Sequence, residues 1–111
     1  MANLDHTGLS EEVVNQLQQV FLYYPEIESV LLYGSRAKGN YHTGSDIDLT
    51  IYKMAREDLD LAKLEVELDE LMLPYSIDIN LFSELTNQDL VSHIKRVGIP
   101  IYKKPTSRIQ A

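Results

Sequence analysis

The stretch ESVLLYGSRAKGNYHTGSDIDLTIY, residues 28–52, decides the fold of this 111-residue chain. Residues 28–33 are mostly apolar and end at a glycine, which is typical of a buried strand. Residues 34–44 hold three glycines and form a loop with room for one short helical turn after Ser35. Polar and apolar residues alternate from residue 45 onward, so we predict a second strand directly after the loop.

The second predicted strand has an unusual polar face. Asp46, Asp48 and Thr50 fall on one side of it, because side chains alternate along a strand, and apolar residues fall on the other side. Two like charges on one face repel each other, so Asp46 and Asp48 need solvent or a cation beside them. This face is therefore a candidate functional site.

The rest of the chain alternates helical and strand patterns. Leucines recur at helical spacing over residues 58–73, and alternation over residues 76–82 brings Asp78 onto a strand face. The other predicted elements are a helix capped by Ser10 and ended by Pro25, a helix capped by Thr86 and stopped by Gly98, and a short edge strand at residues 99–102. The predicted order is α-β-(α)-β-α-β-α-β. We therefore expect the α/β class, here an α+β layer sandwich with a small mixed sheet of about four strands and helices packed on one side.

Charge is unevenly distributed along the chain. The net charge is −7, yet residues 1–94 hold seventeen acidic and five basic side chains, whereas residues 95–111 hold five basic ones and no acid. An acidic body argues against direct nucleic-acid binding, which depends on a basic surface. The only basic residues among the first 52 are Arg36 and Lys38, and both lie in the glycine loop.

Length and composition indicate one small domain. We expect a single domain over residues 1–111, with its core at about residues 10–102 and a basic tail at residues 103–111. The absence of cysteine excludes disulfides and thiolate metal sites. The first residues lack the basic and apolar regions of a secretion signal, and the apolar runs are too short to span a bilayer. We therefore expect a cytoplasmic protein that does not act at a membrane.

Three aspartates on neighbouring strands would favour a divalent metal ion. Asp46 and Asp48 emerge from one strand face about 6–7 Å apart, and Asp78 reaches the same patch if its strand lies alongside. Ligation by oxygen alone favours Mg²⁺ or Mn²⁺. A second Asp-x-Asp pair, Asp58 and Asp60, has a structural explanation, because both residues lie near the positive end of a predicted helix.

The glycine loop supplies the opposite charge. Gly34 permits a tight turn at the end of a strand, Ser35 offers a hydroxyl group, and the amides that follow can face an anion. Arg36 and Lys38 add positive charge at the same place. We therefore predict that Gly34, Ser35, Arg36 and Lys38 bind the phosphates of a nucleotide.

These residues resemble a known family. Gly34 and Ser35, followed after ten residues by Asp46-Ile47-Asp48, match the Gly-Ser-x10-Asp-x-Asp pattern of the DNA polymerase beta-like nucleotidyltransferase superfamily. The short length and the Gly-Ser-Arg-Ala-Lys-Gly loop resemble the minimal nucleotidyltransferase (MNT) domain of the MntA-type antitoxin class. The resemblance covers about residues 10–102.

The resemblance implies a mechanism and a set of roles. Gly34 and Ser35 would hold the triphosphate of ATP, Asp46 and Asp48 would ligate Mg²⁺, and Asp78 would be the third metal-binding and catalytic carboxylate. Two Mg²⁺ ions, with Mn²⁺ as a substitute, would clamp an in-line transfer of a nucleoside monophosphate. In the MNT class the partner is a helical HEPN-type ribonuclease toxin, and the antitoxin AMPylates a tyrosine of that toxin.

Two alternatives remain open at this stage. The domain could neutralise a partner by binding alone, with the carboxylates kept only for the fold. It could also modify a small molecule, as aminoglycoside nucleotidyltransferases do, although the chain is too short to carry a separate acceptor-binding region. The sequence does not specify the nucleotide preference, the acceptor or the oligomeric state.

Overall fold

A four-stranded mixed sheet forms the centre of the computed structural model, which describes residues 4–105. The helices are α1 (Glu11–Leu22), α2 (Gly34–Lys38), α3 (Leu61–Asp69) and α4 (Gln88–Val97), and the strands are β1 (Ile27–Tyr33), β2 (Ile47–Met54), β3 (Ile77–Leu81) and β4 (Ile99–Lys103). Two 3-10 turns, Asp5–Thr7 and Phe82–Glu84, complete the chain order. The predicted alternation of helices and strands is therefore confirmed, and the residues beyond 105 in the predicted basic tail lie outside the described part of the chain.

The order of strands in the sheet is β3-β2-β1-β4. Strand β1 pairs antiparallel with both β2 and β4, whereas β2 and β3 are parallel. The register sets Tyr33 opposite Asp48 and Asp48 opposite Asp78. Three polar side chains therefore form one row across the sheet, at the ends of strands rather than in their middle.

The main core lies between one face of the sheet and helices α1 and α3. Its fully buried residues are Leu17, Phe21, Ile27, Val30, Leu32, Ile47, Leu49 and Leu64. Helix α4 lies near Leu31 and Tyr33, which alternate with Val30 and Leu32 along β1 and so face the other way. Helices α1 and α3 thus form the expected layer on one side, and α4 covers part of the opposite face.

The helix boundaries follow from side-chain caps. Ser10 accepts a hydrogen bond from the Val13 amide at 3.1 Å, as predicted. Three predicted boundaries were wrong. Helix α3 begins after Asp60, whose carboxylate accepts from the Lys63 amide, and it ends at Asp69 rather than at Leu73. Helix α4 is capped by Asn87 rather than by Thr86. At the start of both helices two candidate capping residues stand close together in the sequence, and the second accepts the cap hydrogen bond.

Among residues 4–105, none of the helices combines the length and the apolar character that a membrane-spanning helix requires.

Candidate active site

The three predicted carboxylates gather at one end of the sheet. Asp48 lies in β2, directly opposite Asp78 of the parallel strand β3, and Asp46 immediately precedes β2. Asp46 and Asp78 are exposed, whereas Asp48 is half-buried. Burial, together with the negative charges of Asp78 and Asp46, raises the pKa of Asp48 to about 6. The site therefore holds excess negative charge that a cation would neutralise.

The glycine turn is packed directly against this carboxylate. Gly34 has a φ of 77°, a left-handed conformation that side chains disfavour. A Cβ atom added at Gly34 would overlap Oδ2 of Asp48. Gly34 thus serves two purposes, because it makes the turn between β1 and α2 and leaves room for the carboxylate.

A polar chain of hydrogen bonds lies beside the carboxylates. The Thr50 hydroxyl donates to Oδ1 of Asn80 at 2.5 Å, and Nδ2 of Asn80 donates to the Tyr33 hydroxyl at 2.9 Å. Burial raises the pKa of Tyr33, an effect that the charges of Asp48 and Asp78 reinforce. These bonds link β1, β2 and β3 and so hold the strands that carry the site in register.

His93 of α4 contacts the glycine turn. The Gly34 amide donates a hydrogen bond to Nε2 of His93 at 3.0 Å, and the Tyr33 ring meets the His93 ring edge-on with centroids 6.1 Å apart. Sequence reasoning found no role for this residue, because 59 positions separate it from Gly34. Only the packing of α4 beside β1 brings the two together.

Arg36 occupies a place that the sequence did not predict. Its side chain is only 2% exposed, and its guanidinium donates to the carbonyl oxygens of Thr7 at 2.8 Å and Ser45 at 3.1 Å. The rings of Tyr41 and Tyr75 lie on it, with centroids 4.7 and 4.5 Å away. Arg36 therefore fastens the loop before β2 to the start of the chain, and its charge is already engaged within the protein.

Lys38, in contrast, is exposed at the end of α2. It lies near enough to His93 for its positive charge to lower the pKa of that histidine, together with burial, the main cause, and the charge of Arg96. The structure thus brings both Lys38 and Arg96 near His93. The Arg96 position could not be predicted, since its helix is remote in sequence.

The three carboxylates are suitable ligands for a divalent cation, but in the structure they are not close enough together to bind one. No group of three His, Cys, Asp or Glu side chains among residues 4–105 lies close enough to hold a metal ion. The carboxylates of Asp46 and Asp78 are exposed, so a change of rotamer can turn them toward Asp48. Burial is the main cause of the raised pKa of Asp48, and the negative charges of Asp78 and Asp46 contribute to it.

One protein family matches most of the chain. The family described as Polymerase beta, Nucleotidyltransferase matches residues 15–107, which is most of the chain and includes the glycine turn and all three carboxylates. The chain therefore belongs to the polymerase beta nucleotidyltransferase family.

Solved structures share the fold. A toxin-antitoxin with AMP-PNP is similar at a TM-score of 0.65 and 19% identity, covering 82% of this chain and 73% of that chain. One mutant of the toxin-antitoxin MntA-HpeT is similar at a TM-score of 0.61 and 17% identity, covering 86% of this chain and 75% of that chain. A second mutant is similar at a TM-score of 0.60 and 22% identity, covering 83% of this chain and 71% of that chain. A search of curated proteins found no match. The shared fold is that of a small nucleotidyltransferase.

Proposed function

We propose that this chain is a Mg²⁺-dependent adenylyltransferase that transfers AMP from ATP to a hydroxyl group of a HEPN-type toxin, and so acts in the cytoplasm as that toxin's antitoxin. The observation that carries the proposal is the meeting of Asp48, Asp78 and the Gly34 turn at one end of the sheet. Membership in the polymerase beta nucleotidyltransferase family supports the reaction class.

The residues would divide the work of the transfer. Gly34, Ser35 and Lys38 would bind the triphosphate, and Asp46, Asp48 and Asp78 would hold two Mg²⁺ ions. When bound, the ions would supply positive charge to the triphosphate and to the acceptor oxygen. The acceptor oxygen forms a bond to the α-phosphorus, the bond to the bridging β-phosphate oxygen breaks, and pyrophosphate leaves. Asp78 would take the hydroxyl proton.

Arg36 is left out of this proposed binding set. A guanidinium that is 2% exposed and donates to two backbone carbonyls has little capacity left for a phosphate. We propose that it acts on the site only by holding the loop that leads into Asp46.

Fold and charge support the proposed partner. The fold is shared with proteins from toxin-antitoxin structures, one of them with AMP-PNP. Residues 1–94 carry seventeen acidic and five basic side chains, which favours a basic, RNA-binding partner. A HEPN-type toxin is such a partner.

A transfer experiment tests the proposal. The chain is incubated with Mg²⁺ and ATP labelled at the α-phosphate, with and without the protein encoded by the adjacent gene. We expect label on the partner only when Mg²⁺ is present, and loss of at least about a hundredfold in rate for the double variant Asp46→Asn, Asp48→Asn. Wild-type protein that transfers no label to its partner would refute the proposal.

The chain provides a matched control in its second Asp-x-Asp pair. The double variant Asp58→Asn, Asp60→Asn makes the same change in charge, and asparagine at position 60 can still cap α3. This control should transfer label at the wild-type rate. If the Asp46→Asn, Asp48→Asn variant still neutralises the toxin in cells, neutralisation occurs by binding alone, and labelling of an aminoglycoside instead of the partner would indicate a small-molecule enzyme.

A further inference from the structure

Helix α2 lacks a cap from its own sequence. It has only five residues, and its N-cap residue Tyr33 makes no side-chain hydrogen bond to the helix. A helix this short is unstable by itself, because its first amides have no partners within the helix. The first of these amides, that of Gly34, donates to Nε2 of His93 on α4.

The protonation state of His93 is compatible with this hydrogen bond. An imidazole nitrogen accepts a hydrogen bond only when it carries no proton, so His93 must be neutral with its proton on Nδ1. Burial lowers the pKa of His93, and the positive charges of Arg96 on its own helix and Lys38 on α2 act in the same direction. The Tyr33 ring on β1 packs against its edge. Burial and the two neighbouring positive charges therefore favour the neutral, accepting form of His93 at neutral pH.

The hydrogen bond from Gly34 to His93 lies next to the contact between Gly34 and Asp48. Gly34 is packed so closely against Asp48 that not even a Cβ atom would fit. A shift of the Gly34 backbone would therefore displace Asp48, or open a gap beside it, at the point where the triphosphate and a metal ion would meet. The contact with α4 restrains that shift.

We propose that His93 is a positioning residue: it caps α2 from α4 and thereby fixes the Gly34 turn against Asp48 for nucleotide binding. The inference rests on the proposed function for its consequence, but the cap itself is a property of the fold. His93 does not touch the reacting atoms and acts only through Gly34.

Two substitutions separate the hydrogen bond from packing. His93→Leu keeps the bulk of the side chain and removes the acceptor, whereas His93→Gln retains an oxygen that can accept from Gly34. Binding of Mg²⁺ with a nonhydrolysable ATP analogue is measured by calorimetry, and folding by thermal unfolding. Because one hydrogen bond contributes about 1 kcal/mol, we expect about fivefold weaker binding for His93→Leu and recovery to within about twofold for His93→Gln. Ser92→Ala, at an exposed position of the same helix, is the matched control and should bind as the wild type does.

The results distinguish three cases. If His93→Leu folds and binds the analogue as tightly as wild type, the inference is wrong while the proposed function stands. If His93→Gln fails to recover binding, the acceptor is not what matters, and the inference is again wrong. If wild type itself binds no analogue, the proposed function fails. In that case, faster amide hydrogen exchange over residues 34–38 in His93→Leu than in wild type would support the cap, and unchanged exchange would contradict it.

A measurement on the wild type covers the case in which His93→Leu does not fold. Long-range ¹H–¹⁵N spectra at pH 7.5 should show the His93 proton on Nδ1 and none on Nε2. A proton on Nε2 would overturn the inference, because that nitrogen could not accept from Gly34.

Discussion

The negative charge of Asp48 is unfavourable for the fold. Its carboxylate is half-buried, faces two other aspartates and has a pKa of about 6. A carboxylate with a pKa raised by folding binds its proton more tightly in the folded state. Its protonated form therefore favours folding below about pH 4, and that contribution is lost as the pH rises through about 6. At neutral pH the Asp48 carboxylate is charged and lowers the free energy of unfolding, as expected for a site that functions with a cation.

We therefore predict that Asp48→Asn stabilises the protein when no metal is present. In EDTA at pH 7.5 the variant should gain about 1 kcal/mol in free energy of unfolding, after allowance for solvent screening of a half-buried group. Urea denaturation at several pH values measures this, and the gain should vanish near pH 4. The control is Asp58→Asn, at an exposed ion pair with Arg56, and it should not show this pH-dependent gain. Equal stability of wild type and Asp48→Asn at pH 7.5 would contradict the prediction.

Gly34 allows the steric role of a glycine to be separated from its backbone role. Gly34 and Gly44 both have left-handed φ values, 77° and 82°, but a Cβ atom would overlap Asp48 at the first and meet nothing within 4 Å at the second. Gly44→Ala should therefore cost about 1 kcal/mol in unfolding free energy and Gly34→Ala about 3 kcal/mol. Chemical denaturation of both variants measures the difference. Equal losses would show that Asp48 moves away freely.

At the scale of elements, α2 combines two cations with different tasks. Arg36 is buried between Tyr41 and Tyr75 and donates to two carbonyls, whereas Lys38 is exposed. Arg36→Lys keeps the charge but loses the planar, forked donor, so we predict a loss of about 3 kcal/mol in stability. Lys38→Ala should leave stability unchanged and weaken binding of the ATP analogue. Thermal unfolding and calorimetry on both variants check this division, and a stable Arg36→Lys with weak binding would reverse it.

The end of α3 contains an unfavourable residue. Met72 has a φ of 58° and is 84% exposed, just beyond the last turn of the helix, at the kind of position where helices commonly place glycine. Met72→Gly should raise the free energy of unfolding by about 0.5 kcal/mol, because the relief of backbone strain exceeds the added freedom of the unfolded chain. Urea denaturation measures the change. Lower stability would mean that the Met72 side chain makes contacts that outweigh the strain.

Elements could be predicted more completely than their ends. Apolar runs, alternation and helical spacing predicted the four strands and helices α1, α3 and α4, because those patterns are set by burial. Helix α2 was expected only as room for one short helical turn, and the two 3-10 turns were not predicted. The start of α4 could not be predicted, since Thr86 and Asn87 are both good caps and only the observed bond from Leu90 to Asn87 decides between them. The same holds for Asp58 and Asp60 before α3, where Asp58 instead pairs with Arg56.

Across the whole molecule, charge governs how a partner would approach. The seventeen acidic side chains of residues 1–94 create a negative field that would attract a basic protein. We predict that the association rate with the proposed toxin falls about tenfold between 50 and 300 mM NaCl, with a much smaller change in the dissociation rate. Stopped-flow mixing measures both. An association rate independent of salt would show that the acidic body does not steer the encounter.

The site could be predicted where strand patterns place its residues, including Asp78 of β3, which lies opposite Asp48. Asp46 and Asp48 follow from strand alternation, and Gly34 from its place at a strand end. The roles of Arg36 and His93 depend on Tyr75 and Gly34, which lie 39 and 59 positions away. Long-range packing decides such contacts, and no local pattern records it.

The central place of β1 in the sheet has a consequence for synthesis. Its partner β2 follows soon after, but the pairing of Ser29 with Lys103 and the contact of Gly34 with His93 require chain that is made far later. Contacts between such distant residues form slowly, because a long loop must first close. We therefore expect a nascent chain still on the ribosome, lacking α4 and β4, to be unable to bind ATP. The proposed activity would begin only after β4 has emerged, so an antitoxin of this topology would protect the cell with a delay set by translation and folding.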